Sequence, residues 1–153
     1  MKKARNWFME SYLAVIILVV FAFIFFMSVR NPDVDFARKV FNGLAEGKDS
    51  VQGLIDWPRF KVMGQDVAEK YSKMVDDRER YFFRKSFIVN FSLSFQNAGG
   101  DFKNFLNWRT YSSDKLNAVV AADTVTAARN SVLFTISKKQ GQQKLVSIEQ
   151  LKK

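Results

Sequence analysis

Ser131-Val-Leu-Phe-Thr-Ile-Ser-Lys-Lys-Gln-Gly-Gln-Gln-Lys-Leu-Val-Ser-Ile148 is the stretch on which the fold of this chain turns. Val132, Phe134 and Ile136 occupy every second position, and Val146 and Ile148 repeat the pattern. A period of two marks a strand that buries one face. Lys139-Gln-Gly-Gln142 separates the two runs, and Gly141 supplies the turn. The chain therefore ends on an antiparallel hairpin.

Working back from this hairpin, Phe105-Leu-Asn-Trp-Arg-Thr-Tyr111 and Leu116-Asn-Ala-Val-Val-Ala121 also read as strands. Ser112-Ser-Asp-Lys115 is the turn between them. About four antiparallel strands result. Before them, Asn97-Ala-Gly-Gly100 is a break. Residues 81–97 carry two competing periods. Phe83, Phe87, Phe91 and Phe95 recur every four residues, as on a helix. Phe87, Val89, Phe91, Leu93 and Phe95 also alternate with Ser86, Asn90, Ser92 and Ser94, as on a strand. We read a helix continuing to Asn97, with an added strand as the alternative. It extends a third helix that starts after Gly64, with Val67, Ala68, Tyr71, Met74 and Val75 at helical spacing. The Asp76-Asp-Arg-Glu-Arg80 cluster is an exposed part of it, with close charge pairs.

The first helix of the domain begins at Asn31-Pro32-Asp33-Val34-Asp35. Asparagine caps free N–H groups, proline suits the first helical position, and aspartates favour the positive end of the helix dipole. Phe36, Ala37, Val40, Phe41 and Leu44 fall on one face, and Gly47 is the stop. A short second helix restarts at Asp49 or Ser50 and runs through Leu54 and Ile55. It ends before Pro58 in Asp56-Trp57-Pro58-Arg59-Phe60. The expected architecture of residues 30–153 is α+β, about three helices packed on a curved antiparallel sheet.

The N-terminal segment is of another kind. No charge occurs between Ser11 and Val29, and thirteen of the residues from Tyr12 to Val29 are Leu, Ile, Val or Phe. Such a stretch spans about 27 Å as a helix, close to the roughly 30 Å hydrocarbon core of a bilayer. Those thirteen favour insertion by about 4–8 kcal/mol. A soluble helix would show an apolar stripe, and a cleaved signal peptide would show small residues before the cut. Phe25-Phe26-Met27-Ser28 offers no A-x-A pattern, and no lipobox cysteine follows. We therefore expect residues 12–29 to be a single-pass anchor that ends at Tyr12 and Val29, behind a short basic cytoplasmic tail, residues 1–11. Lys2, Lys3 and Arg5 crowd that tail, and Arg30, Arg38 and Lys39 on the other flank nearly match them in number, so the count alone does not decide. Charge density next to the bilayer and the frequency of short N-terminal signal anchors favour the N-terminus inside and residues 30–153 outside the cytoplasm, on an inner membrane.

Composition removes several chemistries. Among 153 residues there is no cysteine and no histidine, so thiolate catalysis, cysteine–zinc sites and imidazole general bases are excluded. The net charge is +9, of which the first 30 residues hold +3 and the domain +6. The bases are scattered and not run together, which describes a solvated basic surface, and no nucleic-acid partner is expected. Nucleotide-binding and nucleophile-elbow motifs are missing, and no cofactor or metal is implied.

The element order and the ending 131–148 resemble the nuclear-transport-factor-2-like superfamily, in which helices pack into the concave face of a curved sheet. Its last hairpin has a glycine turn followed by a "W-K-I-x-x-I" strand. Gln143 stands here where the tryptophan often stands. Some members are enzymes that use a pocket aspartate with a tyrosine or histidine, and Asp56, Tyr71 and Tyr81 are the loose echoes. Asp56 also suits a turn cap, and Asp76 and Asp77 suit ion pairs better than a metal. Aromatic content suggests an apolar pocket from Trp57, Phe60, Tyr71, Phe87, Phe91 and Trp108, or else plain core packing. A bitopic layout with such a domain also resembles the inner-membrane assembly subunit of type IV secretion systems, which is usually longer. The sequence points to a non-enzymatic module that binds a protein partner or its own copies beside the bilayer. A module for a small apolar ligand is the alternative, and an isomerase-like enzyme comes last.

Overall fold

The structure, a computed structural model, describes residues 14–24, 30–125 and 130–151. The chain divides into two units, Met1–Asn31 and Pro32–Lys153. In the first, residues 14–24 form helix α1, with every side chain exposed. Val15, Leu18 and Phe21 are 60–71% accessible. Among the described residues no helix is long and apolar enough to cross a membrane. The expected anchor ends, Tyr12 and Val29, lie outside the described residues.

The second unit is α+β. Helix α2, Pro32–Ala45, buries Val34, Ala37, Val40, Phe41 and Leu44, the face its spacing predicts. It stops where Gly47 takes a φ of 69°. Gly47 N–H then donates to Leu44 O and Lys48 N–H to Gly43 O, the double closure of a Schellman turn. Two short 3-10 turns follow, Asp49–Leu54 and Trp57–Arg59.

Three sequence expectations are corrected from this point. First, the sheet has six strands, not four: β1 Lys61–Val62, β2 Gln65–Asp66, β3 Phe105–Ser113, β4 Asn117–Thr124, β5 Ser131–Ser137 and β6 Lys144–Leu151. β1 and β2 have only two residues each, too short to show an alternation. They form a hairpin around Met63 and Gly64, both at positive φ, the pattern of a two-residue type I′ turn. Second, the sheet is mixed. The order is β2-β1-β6-β5-β4-β3, and β1 runs parallel to β6, with Lys61 opposite Ser147. Third, the long third helix is two helices, α3 Val67–Ser72 and α4 Asp77–Asn97. Each starts with Asp-x-x-Glu. Asp66 accepts from Glu69 N–H at 3.0 Å, and Asp76 accepts from Glu79 N–H at 2.7 Å. A cap at Asp76 satisfies donors that a continuous helix would satisfy with carbonyls, so it starts a helix and does not continue one.

Residues 81–97 are helical throughout, as favoured from the four-residue phenylalanine spacing. The core lies between the helices and one face of the sheet. Val120, Phe134, Ile136, Leu145 and Ile148 are fully buried there, together with Leu44, Phe60 and Ile88.

One end of the domain is held by a polar cluster that the helix-dipole reading of Asp33 did not anticipate. Asp33 is buried. Its Oδ2 accepts from Lys138 Nζ at 2.8 Å and from Ser113 Oγ at 3.2 Å, and its Oδ1 accepts from Gln143 Nε2 at 2.8 Å. The first turn of α2 is thereby tied to the β3–β4 and β5–β6 turns.

Candidate functional site

Helix α4 carries apolar residues on two sides. Phe83, Phe87, Phe91 and Phe95 pack on the core cluster, with Ile88 fully buried. On the adjoining side Phe82, Val89 and Leu93 point to solvent at 42–52% exposure. Spacings of seven and four residues put these three on one strip. From Ser86 to Asn97 the helix has no charged residue. An isolated domain does not need this second strip, since the first already closes the core.

A groove of about 560 Å³ runs along the helix. Val62, Met63 and Val67 from the β1–β2 hairpin and α3 form one wall, and Phe83, Phe87 and Phe91 form the other. Ser86, Asn90 and Ser94 lie one helical turn apart and give it a polar edge. A second, shallower depression continues past Phe83 and Ser86 to Met74, Val75 and Phe82. Val75 is 86% exposed and Met63 51%. Lys73 beside this depression donates to Glu69 at 2.8 Å, which raises the lysine's pKa.

The six aromatics predicted to line one pocket do not do so. Phe87 and Phe91 line the groove. Trp57 and Phe60 are core residues, packed edge-to-face at 5.8 Å, with the Trp57 indole donating to Gln52 O at 2.9 Å. Tyr71 lies against Trp57 at 6.1 Å. Trp108 belongs to another cluster, 5.1 Å from Phe134 and 6.3 Å from Phe41. Helical and strand spacing identify aromatic positions, but neither says which rings meet. Met63 was missed because the β1–β2 hairpin was missed, while Ser86, Asn90 and Ser94 were noticed only as the polar half of a strand alternation.

Asp56 and Tyr71 share a small polar depression with Gln52, Arg84 and Lys144. Tyr81 is exposed, edge-to-face with Phe82 at 5.7 Å. Asp56 occupies the start of the Trp57–Arg59 turn but makes no side-chain cap bond. Its carboxylate faces Arg59 at 3.4 Å instead. Arg84 donates to Tyr71 Oη at 3.0 Å and to Gln52 Oε1 at 3.3 Å, so the phenol is tied to a guanidinium and not to an acid–base partner. Asp76 is a helix cap and Asp77 lies 3.8 Å from Arg80. Among the described residues no three His, Cys, Asp or Glu side chains converge to hold a metal.

Set against protein-family profiles, curated proteins and solved structures, the chain matches none.

Proposed function

We propose that this chain is a non-enzymatic, membrane-anchored interaction module that binds a protein partner, or copies of itself, through α4. The observation that carries the reading is the uncharged outer strip Phe82, Val89, Leu93 beside the groove. A helix that is apolar on both sides is a helix with a partner on both sides, and the domain supplies only one. Residues 12–29 anchor the chain by their length and apolarity, with the N-terminus inside and the domain outside the cytoplasm at an inner membrane. Helices packed on one face of the sheet and the terminal hairpin support a nuclear-transport-factor-2-like domain. The bitopic layout keeps the analogy to the type IV secretion assembly subunit.

A second reading has one observation in its favour: the groove's volume falls in the range of about 300–1,000 Å³ usual for small-ligand sites. Its open side, with Ser86, Asn90 and Ser94 along the edge, suits a surface contact better than an enclosed apolar ligand. The isomerase-like reading ranks last, because Asp56 is paired with Arg59 and faces no acid partner.

The test uses photo-reactive side chains at position 93 and, as control, at the exposed Gln150, in native membranes. Position 93 is expected to give one or two adducts of discrete mass, and position 150 none. Val89→Glu is expected to abolish the adduct without moving the unfolding curve. Equal patterns at the two positions refute the reading. A C-terminal reporter active only in the cytoplasm refutes the orientation.

A further inference from the structure

The end of the domain that Asp33 ties together presents more than a structural clasp. The turn between β3 and β4 is exposed from Tyr111 to Leu116, with Tyr111 63% and Leu116 60% accessible. Its shape is fixed. Asp114 Oδ1 accepts from Leu116 N–H and Asn117 N–H, both at 2.7 Å. Lys138 N–H donates to Leu116 O at 2.7 Å, joining this turn to the β5–β6 turn. A large apolar side chain is thus held outward on a rigid tip, where folding gains nothing from it.

Chain connectivity says what the tip meets. Asp33 follows Val29, the last residue of the uncharged stretch, by four positions. Four residues reach at most about 14 Å. The interfacial layer beyond each side of the hydrocarbon core accounts for about 5–8 Å of that. Asp33 bonds Ser113 and Lys138 directly, so both turns are confined to the same neighbourhood.

We propose that the β3–β4 tip rests on the lipid surface, with Leu116 and Tyr111 in the interface. The proposal rests on the reading of residues 12–29 as a membrane span. A tyrosine with an apolar body and a polar end is suited to that layer, and lysine stems beside it can extend their charge to water. The charges around the tip nearly cancel. Lys115, Lys139 and Arg30 (three residues before Asp33) face solvent, against Asp35 and Asp114, a net of one positive charge, while Lys138 is held by Asp33. The contact is therefore apolar and interfacial, independent of anionic lipid.

The chain has no cysteine, so single-cysteine variants carry one fluorophore each. Leu116→Cys marks the tip, and Phe21→Cys marks the apolar stretch. Val125→Cys marks an exposed site just past the far end of the eight-residue β4, roughly 25 Å away along the strand. The full-length chain is reconstituted in phosphatidylcholine vesicles with brominated acyl chains as quencher. The expected result is deep quenching at position 21, clear quenching with a blue-shifted emission at 116, and an aqueous signal at 125. Addition of phosphatidylglycerol is expected to leave the ratio of 116 to 125 unchanged. An aqueous label at 21 overturns the membrane span and this proposal with it. Deep quenching at 21 with 116 and 125 alike, whether both aqueous or both quenched, overturns the tip contact alone.

Discussion

Replacing Asp33 by alanine in a domain spanning residues 30–153 is expected to cost about 3 kcal/mol. The carboxylate accepts from Lys138, Gln143 and Ser113. Removing one member of a buried ion pair costs about 3–5 kcal/mol, because the other charge is left without a partner. Here the Asp33 side chain is 9% exposed and that of Lys138 23%, so water relieves part of the loss and the lower end of the range applies. Loss of an acid in the first turn of α2 adds a few tenths through the helix dipole. For a domain of this size each kcal/mol shifts Tm by about 4 °C, which gives a fall of about 12 °C. Equilibrium unfolding in urea should show a lower midpoint with an unchanged slope. Lys138→Met should cost less, about 1–2 kcal/mol, because Asp33 keeps Gln143, Ser113 and the helix N-terminus. The double variant should lose less than the sum, since the two residues share one interaction. A loss below about 1 kcal/mol for Asp33→Ala, or strict additivity of the pair, refutes the claim that this cluster clamps the end of the domain.

Acid stability should depend on Asp123. Its carboxyl is held down to about 2, against 3.8 unperturbed, first by Arg109 and then by Ser131, with Asn107 adding less. Its contribution is therefore full above about pH 4 and is lost as pH falls toward 2, so the stability gap between wild type and Arg109→Ala, measured by urea titration, should close over that window. Asp56→Asn should cost about 1 kcal/mol or less, since the partly exposed Arg59 is its ion-pair partner and no cap bond is lost. Its cellular phenotype should stay close to wild type, whereas a null phenotype with an unaltered melting curve overturns the surface reading and favours an enzyme.

The longer elements were legible because their burial repeats. Val132, Phe134 and Ile136 mark β5, and the spacing of Ala37, Val40, Phe41 and Leu44 marks α2. A two-residue strand has no period, so β1 and β2 were invisible except through Met63-Gly64, whose turn chemistry was available and was not used. The break between α3 and α4 was also written in the chain. Asp66 to Glu69 and Asp76 to Glu79 repeat one capping signature, but the second was read as surface ion pairs. Long-range partners are a different matter. The Asp33–Lys138 bond joins residues 105 positions apart, and no local pattern encodes it. The candidate site shares that limit. Phenylalanine spacing showed that α4 is apolar on one side, while only the packed structure shows that Phe82, Val89 and Leu93 are left over.

Gln143 ties these levels together. It stands where the resembling hairpin usually has a tryptophan, one residue before β6 begins at Lys144. In the folded chain its amide donates to Asp33, whose other oxygen is held by Lys138 and Ser113. A tryptophan there would offer a single donor on a rigid ring in place of a flexible amide. The polar residue makes sense once Asp33 is buried, and Asp33 is buried because the first turn of α2 lies against the sheet's turns. Gln143, Asp33 and Lys138 thus form one device that ties the first turn of α2 to the β5–β6 turn.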